Sequence, residues 1–166
     1  MNESVIHIIG IGPGSKEYLT QAAIDKIKEQ DLLVGSTKAL SLFENLNKKT
    51  YVFKNDVKDL IDFLKNNYAK TKIGVLVTGD PGIYSLASTI KKHFASNNLH
   101  ILPGISSVQL FFAKLGLSYE EVSIKSVHGR KMDELIEQVR IHKKVCILTD
   151  AKNNPKKIAS SLLKKN

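Results

Sequence analysis

The sequence predicts an α/β protein built on a parallel sheet. Short apolar runs alternate with amphipathic helical stretches along most of the 166 residues. Three of these runs end in glycine-bearing loops: Gly10-Ile11-Gly12-Pro13-Gly14, Gly79-Asp80-Pro81-Gly82 and Pro103-Gly104-Ile105-Ser106-Ser107. Each loop stands where a strand hands over to a helix. In a parallel sheet these handovers share the carboxyl edge, where ligands bind. Loops far apart in sequence can therefore line one cleft.

Residues 5–9 are apolar apart from His7, as in a parallel strand covered on both faces. His7 is expected to be hydrogen-bonded within the sheet. Thr20 can cap a helix running to about residue 30, with Ala23, Ile24 and Ile27 on its inner face. Residues 31–35 read as a strand, 37–44 as a helix and 50–53 as a short strand. Asp56 caps an amphipathic helix in which Val57, Leu60, Ile61 and Leu64 repeat at helical spacing. A strand follows at 73–78, a helix at 83–94, a strand at 99–102 and an apolar helix at 106–115. This alternation of five strands with helices implies a parallel sheet flanked by helices.

The polar stretch 116–121 reads as a linker, dividing an N-terminal α/β domain (1–116) from a smaller C-terminal one (117–166). The second part contains strands at 122–126 and 145–149. Met132, Leu135, Ile136 and Val139 form a helical stripe, and Pro155 opens a final helix. Two strands and two helices are thin for a sheet domain. The second domain is therefore expected to be truncated, or to complete itself against a partner.

Composition narrows the function. A hydrophobic fraction of 42% suits a packed core. No apolar run approaches the ~20 residues that span a bilayer, and residues 1–4 lead straight into a strand, so neither a membrane role nor a secretory leader is expected. The single cysteine, Cys146, allows no internal disulfide and fits a cytoplasmic home. The histidines lack ligand-like spacing, so no metal site is expected. The net charge of +9 attracts polyanions. Its lysines are scattered as short pairs, without a nucleic-acid motif. Solvated helix faces explain most of them, and a polycarboxylated small molecule would use the rest.

The first loop is not a dinucleotide fingerprint. Pro13 follows Gly12, Gly14 comes one residue early, and no acidic residue ends the second strand. A rigid Gly-Pro-Gly turn instead lets backbone approach a flat ligand closely. In the second loop Asp80 can cap a helix, hold the loop's shape or meet a cation. In the third, Ser106 and Ser107 can cap a helix or offer hydroxyls to a carboxylate. The segment Ser126-Val127-His128-Gly129-Arg130 reads either as a solvated turn or as an anion grip. In the second reading Arg130 binds the anion and His128 donates a hydrogen bond or carries a proton.

Together these motifs resemble the tetrapyrrole (corrin/porphyrin) methylase family. Its pattern is Gly-x-Gly-Pro-Gly followed by Leu-Thr, then Gly-Asp-Pro, then Pro-Gly-x-Ser-Ser. The chain carries it at residues 10–14 with Leu19-Thr20, at 79–81 and at 103–107. Residues 77–84, 105–110 and 126–130 resemble one branch, the cobalt-precorrin-7 (precorrin-6Y) C5-methyltransferases of cobalamin biosynthesis. The resemblance implies two α/β domains, S-adenosylmethionine (SAM) as methyl donor in the cleft between them, and a homodimer. It implies donor contacts at Pro13, Gly79, Asp80, Ile83, Ser106 and Ser107, with a further one at Thr149. Gly12 and Gly14 would border the polycarboxylated tetrapyrrole, Arg130 would grip it, and His128 would assist a proton transfer. A C15-methylase/decarboxylase is the candidate partner. Three alternatives stay open: methylation of another precorrin carbon, methylation of a diphthamide precursor, and a non-catalytic domain that binds anions or nucleic acid.

Overall fold

The structure is a computed structural model, and it describes residues 5–127 and 132–164. The chain divides into two compact units between Leu110 and Phe111.

The first unit is the expected parallel sheet. Its strands are β1 (Ile6–Gly10), β2 (Leu32–Gly35), β3 (Lys49–Val52), β4 (Ile73–Val77) and β5 (Leu99–Leu102). They lie in the order β3-β2-β4-β1-β5, and every pairing is parallel. The register sets Gly10 against Val77 and Ile9 against Leu102, so β4, β1 and β5 end level with one another. Those three neighbouring strands are the ones that lead into the three glycine loops.

Two apolar layers cover the sheet. Strand side chains alternate between faces, so Ile8 faces one layer and Ile9 the other. Ile6, Ile8, Val34 and Val75 pack against Leu60 and Leu64 of α3 (Val57–Asn67). Ile9, Leu33 and Leu76 pack against Ala23 and Ile27 of α1 (Gln21–Lys28) and Leu40 of α2 (Thr37–Ser41). Each of the large aliphatic side chains buried here contributes about 1.5–3 kcal/mol. Side-chain oxygens fix the helix starts. Thr20 Oγ1 accepts from Ala23 N at 3.1 Å, Ser36 Oγ from Ala39 N at 3.2 Å and Asp56 Oδ1 from Asp59 N at 3.0 Å.

Two expectations for this unit need correction. The helix expected at 83–94 shrinks to α4 (Ala87–Ile90). Tyr84 is left-handed, with φ of 47°. The Ser85 hydroxyl donates to Pro81 O and accepts from Ala87 N, competing with the helical pattern. His7 was expected to be satisfied in the sheet. Among the described residues no hydrogen-bond partner meets its buried Nδ1, while its ring meets His100 of β5 edge-on at 5.2 Å.

Tyr51 of β3 stacks on Phe63 at 3.7 Å and donates its hydroxyl proton to Asp59 Oδ2. Ionising the phenol would break that bond beside a carboxylate, and the Tyr51 pKa rises to about 12. The folded value lies above the ordinary ~10. The stabilisation is therefore complete below pH ~10 and is lost as pH climbs through the folded value. In an ultraviolet titration one tyrosine should ionise late, and Asp59→Asn should abolish the delay. A single ionisation near pH 10 in the wild type would contradict this reading.

In the second unit β6 (Ser123–Ser126) and β7 (Val145–Leu148) pair in parallel. Helix α6 (Met132–Ile141) precedes β7 and α7 (Pro155–Leu163) follows it. Val127, Leu135 and Ile158 form a small core with Met132, Val139, Ile147 and Leu162 packed against it. Pro155 sits at the start of α7, and Asn154 Oδ1 caps that helix by accepting from Lys157 N at 3.0 Å. Cys146 is half-buried, and burial pushes its thiol pKa up. No helix of the described residues is long and apolar enough to cross a membrane.

Candidate functional site

The three glycine loops meet at the carboxyl edge of the first sheet. Ile11 N donates to Val77 O at 2.9 Å and Gly79 N to Gly12 O at 2.7 Å, so the first two loops form an antiparallel bridge. The third loop closes on both. A Cβ on Gly10 would lie 2.5 Å from Gly104 N. A Cβ on Gly104 would lie 2.7 Å from Gly10 C and closer still to Gly79 O. Only glycine permits three backbones this close. Gly79 also has φ of 75°, a conformation that side chains disfavour.

Asp80 staples the loops. Its Oδ1 accepts from Gly82 N at 2.7 Å and its Oδ2 from Gly104 N at 3.1 Å. One carboxylate thus shapes its own turn and holds the neighbouring loop. Ser106 is buried and caps α5 (Ser107–Leu115). Its Oγ accepts from Gln109 N at 3.1 Å, while Gln109 Oε1 accepts from Ser106 N at 2.8 Å. Both oxygens are therefore partly committed to holding the loop.

The structure thus brings together Gly12, Gly79, Asp80 and Ser106. Pro13 and Gly14 are half-buried in the same bridged loop. Ile83 is half-buried and donates its N–H to Asp80 O at 3.1 Å, while Ser107 is exposed at the start of α5. Thr149 lies in the second unit, exposed just past β7. There Asn153 Nδ2 donates to Val127 O at 3.4 Å, joining the loop after β7 to the end of β6. His128 and Arg130 lie outside the described residues. Among the described residues no group of three or more His, Cys, Asp or Glu could hold a metal ion.

The sequence model of the tetrapyrrole (corrin/porphyrin) methylases matches residues 5–166. The chain belongs to this family. A relative from Methanocaldococcus jannaschii, named a probable cobalt-precorrin-7 C(5)-methyltransferase, is 39% identical over 96% of this chain and 76% of its own length. The cobalt-precorrin-7 C(5)-methyltransferase of Salmonella typhimurium is 31% identical over 96% of this chain and 78% of its own length. The crystal structure of the precorrin-6Y methylase of Archaeoglobus fulgidus superposes with a TM-score of 0.71 at 26% identity, covering 89% of this chain and 74% of that one.

Sequence reasoning missed two residues that lie against these loops. Gln109 completes a reciprocal cap with Ser106, and the spacing Ser106-Ser107-Val108-Gln109 carries that signal. Lys38 of α2 lies beside the Gly-Pro-Gly loop: a Cβ on Gly14 would be 3.7 Å from its Nζ. No motif marks Lys38. Its signal is that α2 begins directly after β2, at the same sheet edge as the loops.

Proposed function

We propose that the chain transfers a methyl group from SAM to C5 of cobalt-precorrin-7 in cobalamin biosynthesis. The observation that carries this reading is the closure of the three glycine loops into one backbone cradle by Asp80. The names of the relatives support the choice of acceptor. Gly79, Asp80, Ile83, Ser106 and Ser107, with Pro13, would hold the donor, and Thr149 is a further proposed donor contact. The loops present backbone with little side-chain bulk, which suits a ligand held at short range.

SAM supplies an activated methyl on a sulfonium: attack by an electron-rich ring carbon breaks the C–S bond, forms a C–C bond and leaves a neutral thioether. The protein needs no covalent nucleophile. Its contribution is alignment, which can be worth ~7–11 kcal/mol in a near-attack geometry. His128 is the proposed group for the proton that leaves the methylated centre. Gly12 and Gly14 border the acceptor, and Lys38 and Arg130 meet its carboxylates. We place the enzyme in the cytoplasm as a homodimer, with a C15-methylase/decarboxylase as the partner for the companion step.

Incubation with SAM and cobalt-precorrin-7 should add one methyl group by mass spectrometry, located at C5 by carbon NMR. No transfer, or transfer elsewhere on the ring, would refute the assignment. Arg130→Ala should raise KM for the tetrapyrrole about tenfold while leaving that for SAM within about twofold. Equal effects on both would argue against a carboxylate clamp.

A further inference from the structure

The amino edge of the first sheet, opposite the glycine loops, carries a cavity of about 810 Å³. Pockets that take a whole small ligand measure roughly 300–1,000 Å³. The register explains what lines it. His7 of β1 stands level with Gly74 of β4 on one side and with His100 of β5 on the other. Level residues of parallel strands point to the same face. Here it is the face of Ile9 and Leu102, which α1 helps to cover. Gly74 brings no side chain, and Gln30, just past the end of α1, lies over it: a Cβ on Gly74 would be 2.9 Å from Gln30 Cγ. Gln30, His7 and His100 thus line the cavity together.

Two buried atoms of this lining have no hydrogen-bond partner among the described residues, His7 Nδ1 and Gln30 Oε1. Gln30 is only 1% exposed. Its Nε2 donates to Lys26 O at 2.8 Å, which fixes the amide and leaves the carbonyl oxygen as the free end. An unpaired buried acceptor is costly to fold around, and an amide oxygen is satisfied only by a donor. Burial, helped by the nearby Lys26 ammonium, holds the His7 imidazole below its ordinary range, so the ring is neutral at neutral pH. A neutral imidazole keeps one N–H, which Nδ1 can present to an acceptor.

The rim carries unpaired positive charge. Glu29 is taken up by Lys26 at 2.6 Å, and Asp31 Oδ2 accepts from Lys72 N at 3.2 Å. Lys70 and Lys72, in the turn between α3 and β4, are exposed, and among the described residues no carboxylate pairs with either ammonium. The lining therefore asks for a donor at its floor and an anion at its rim.

We infer that this cavity is a second ligand site, for an adenine nucleotide. The adenine amino group donates to Gln30 Oε1, the ring nitrogen beside it accepts from His7 Nδ1, and the base lies against the exposed His100 ring. The phosphate meets the ammonium groups of Lys70 and Lys72. The site is distinct from the proposed donor cradle, because the run of β1 from His7 to Gly10 separates them by roughly 10 Å.

Calorimetry on the full chain with adenosine monophosphate (AMP), inosine monophosphate (IMP) and inorganic phosphate, at one ionic strength, tests this. AMP should bind one to one and at least about tenfold tighter than IMP, whose carbonyl would face Gln30 Oε1 and leave it unpaired. It should also bind at least about tenfold tighter than phosphate. The double variant Lys70→Ala/Lys72→Ala, changed only at exposed positions, should weaken AMP about tenfold. Gln30→Met, apolar and of similar length, should bring AMP to the affinity of IMP. Circular dichroism establishes folding, and if Gln30→Met does not fold, the ratio of AMP to IMP affinity in the wild type decides. Saturating S-adenosylhomocysteine should leave the AMP constant within about twofold. No AMP binding at millimolar concentration, IMP or phosphate binding as tightly as AMP, or an unchanged AMP constant in the lysine variant overturns the assignment. Displacement of AMP by S-adenosylhomocysteine also overturns it, because the nucleotide would then sit in the glycine loops.

Discussion

Gly104→Ala is expected to lower the melting temperature by about 6–12 °C and to abolish SAM binding. The added methyl group would meet Gly10 C at 2.7 Å, Gly10 O at 2.8 Å and Gly79 O closer still. All three are backbone atoms, of the last residue of β1 and of the bridged loop after β4, so none can swing aside as a side chain would. Overpacking of this kind costs about 3 kcal/mol, and each kcal/mol moves the midpoint of a chain this long by about 2–4 °C. Relief requires the third loop to withdraw from the other two. That movement draws Gly104 N away from Asp80 Oδ2, which it now meets at 3.1 Å. Gly116→Ala is the control, because no atom lies within 4 Å of a Cβ there, although its φ of 63° still disfavours a side chain. It should keep donor binding. A Gly104→Ala protein with wild-type melting and donor affinity would show that the loops do not need their observed spacing.

Asp80→Ala is expected to raise the dissociation constant for SAM at least about tenfold. The carboxylate holds two backbone N–H groups in different loops, Gly82 and Gly104. Hydrogen bonds to a charged group contribute about 1.5–3 kcal/mol each, and that energy fixes the cradle before a ligand arrives. Asp80→Asn separates shape from charge. An amide can still accept one of the two bonds, but its NH₂ faces the other N–H donor. Its loss of affinity should fall between wild type and Asp80→Ala. Calorimetry at two ionic strengths measures both. A dissociation constant unchanged in Asp80→Ala would leave Asp80 as a staple of an apo loop with no bearing on the donor.

The fold was largely legible because its determinants are local and periodic. The apolar runs became β1, β2, β4 and β5, and Thr20, Asp56 and Pro155 marked the helix starts that the structure shows. The meeting of the loops was also legible, since level carboxyl ends follow from a parallel sheet. What pattern reading cannot supply is how closely loops approach, or which side chain of several holds them. The double bond of Asp80 depends on Gly104, 24 residues away. The short α4 was missed because the stretch after the Gly-Asp-Pro-Gly loop contains helix-compatible residues. Tyr84 adopts a left-handed conformation and Ser85 bonds back to Pro81, and neither leaves a trace in hydrophobic spacing. His7 was misjudged for a related reason. Sequence places a histidine in a strand but does not show whether a partner reaches its buried nitrogen.

The central claim is that three loops distant in sequence act as one site for a methyl donor. Nitrogen–proton NMR during titration with S-adenosylhomocysteine tests it most directly, because the amides of Gly12, Gly79, Gly82, Gly104 and Ser106 report on all three loops separately. These signals should move together and saturate at a single dissociation constant. Signals that stay fixed at saturating ligand, or that move in only one of the three loops, would contradict it.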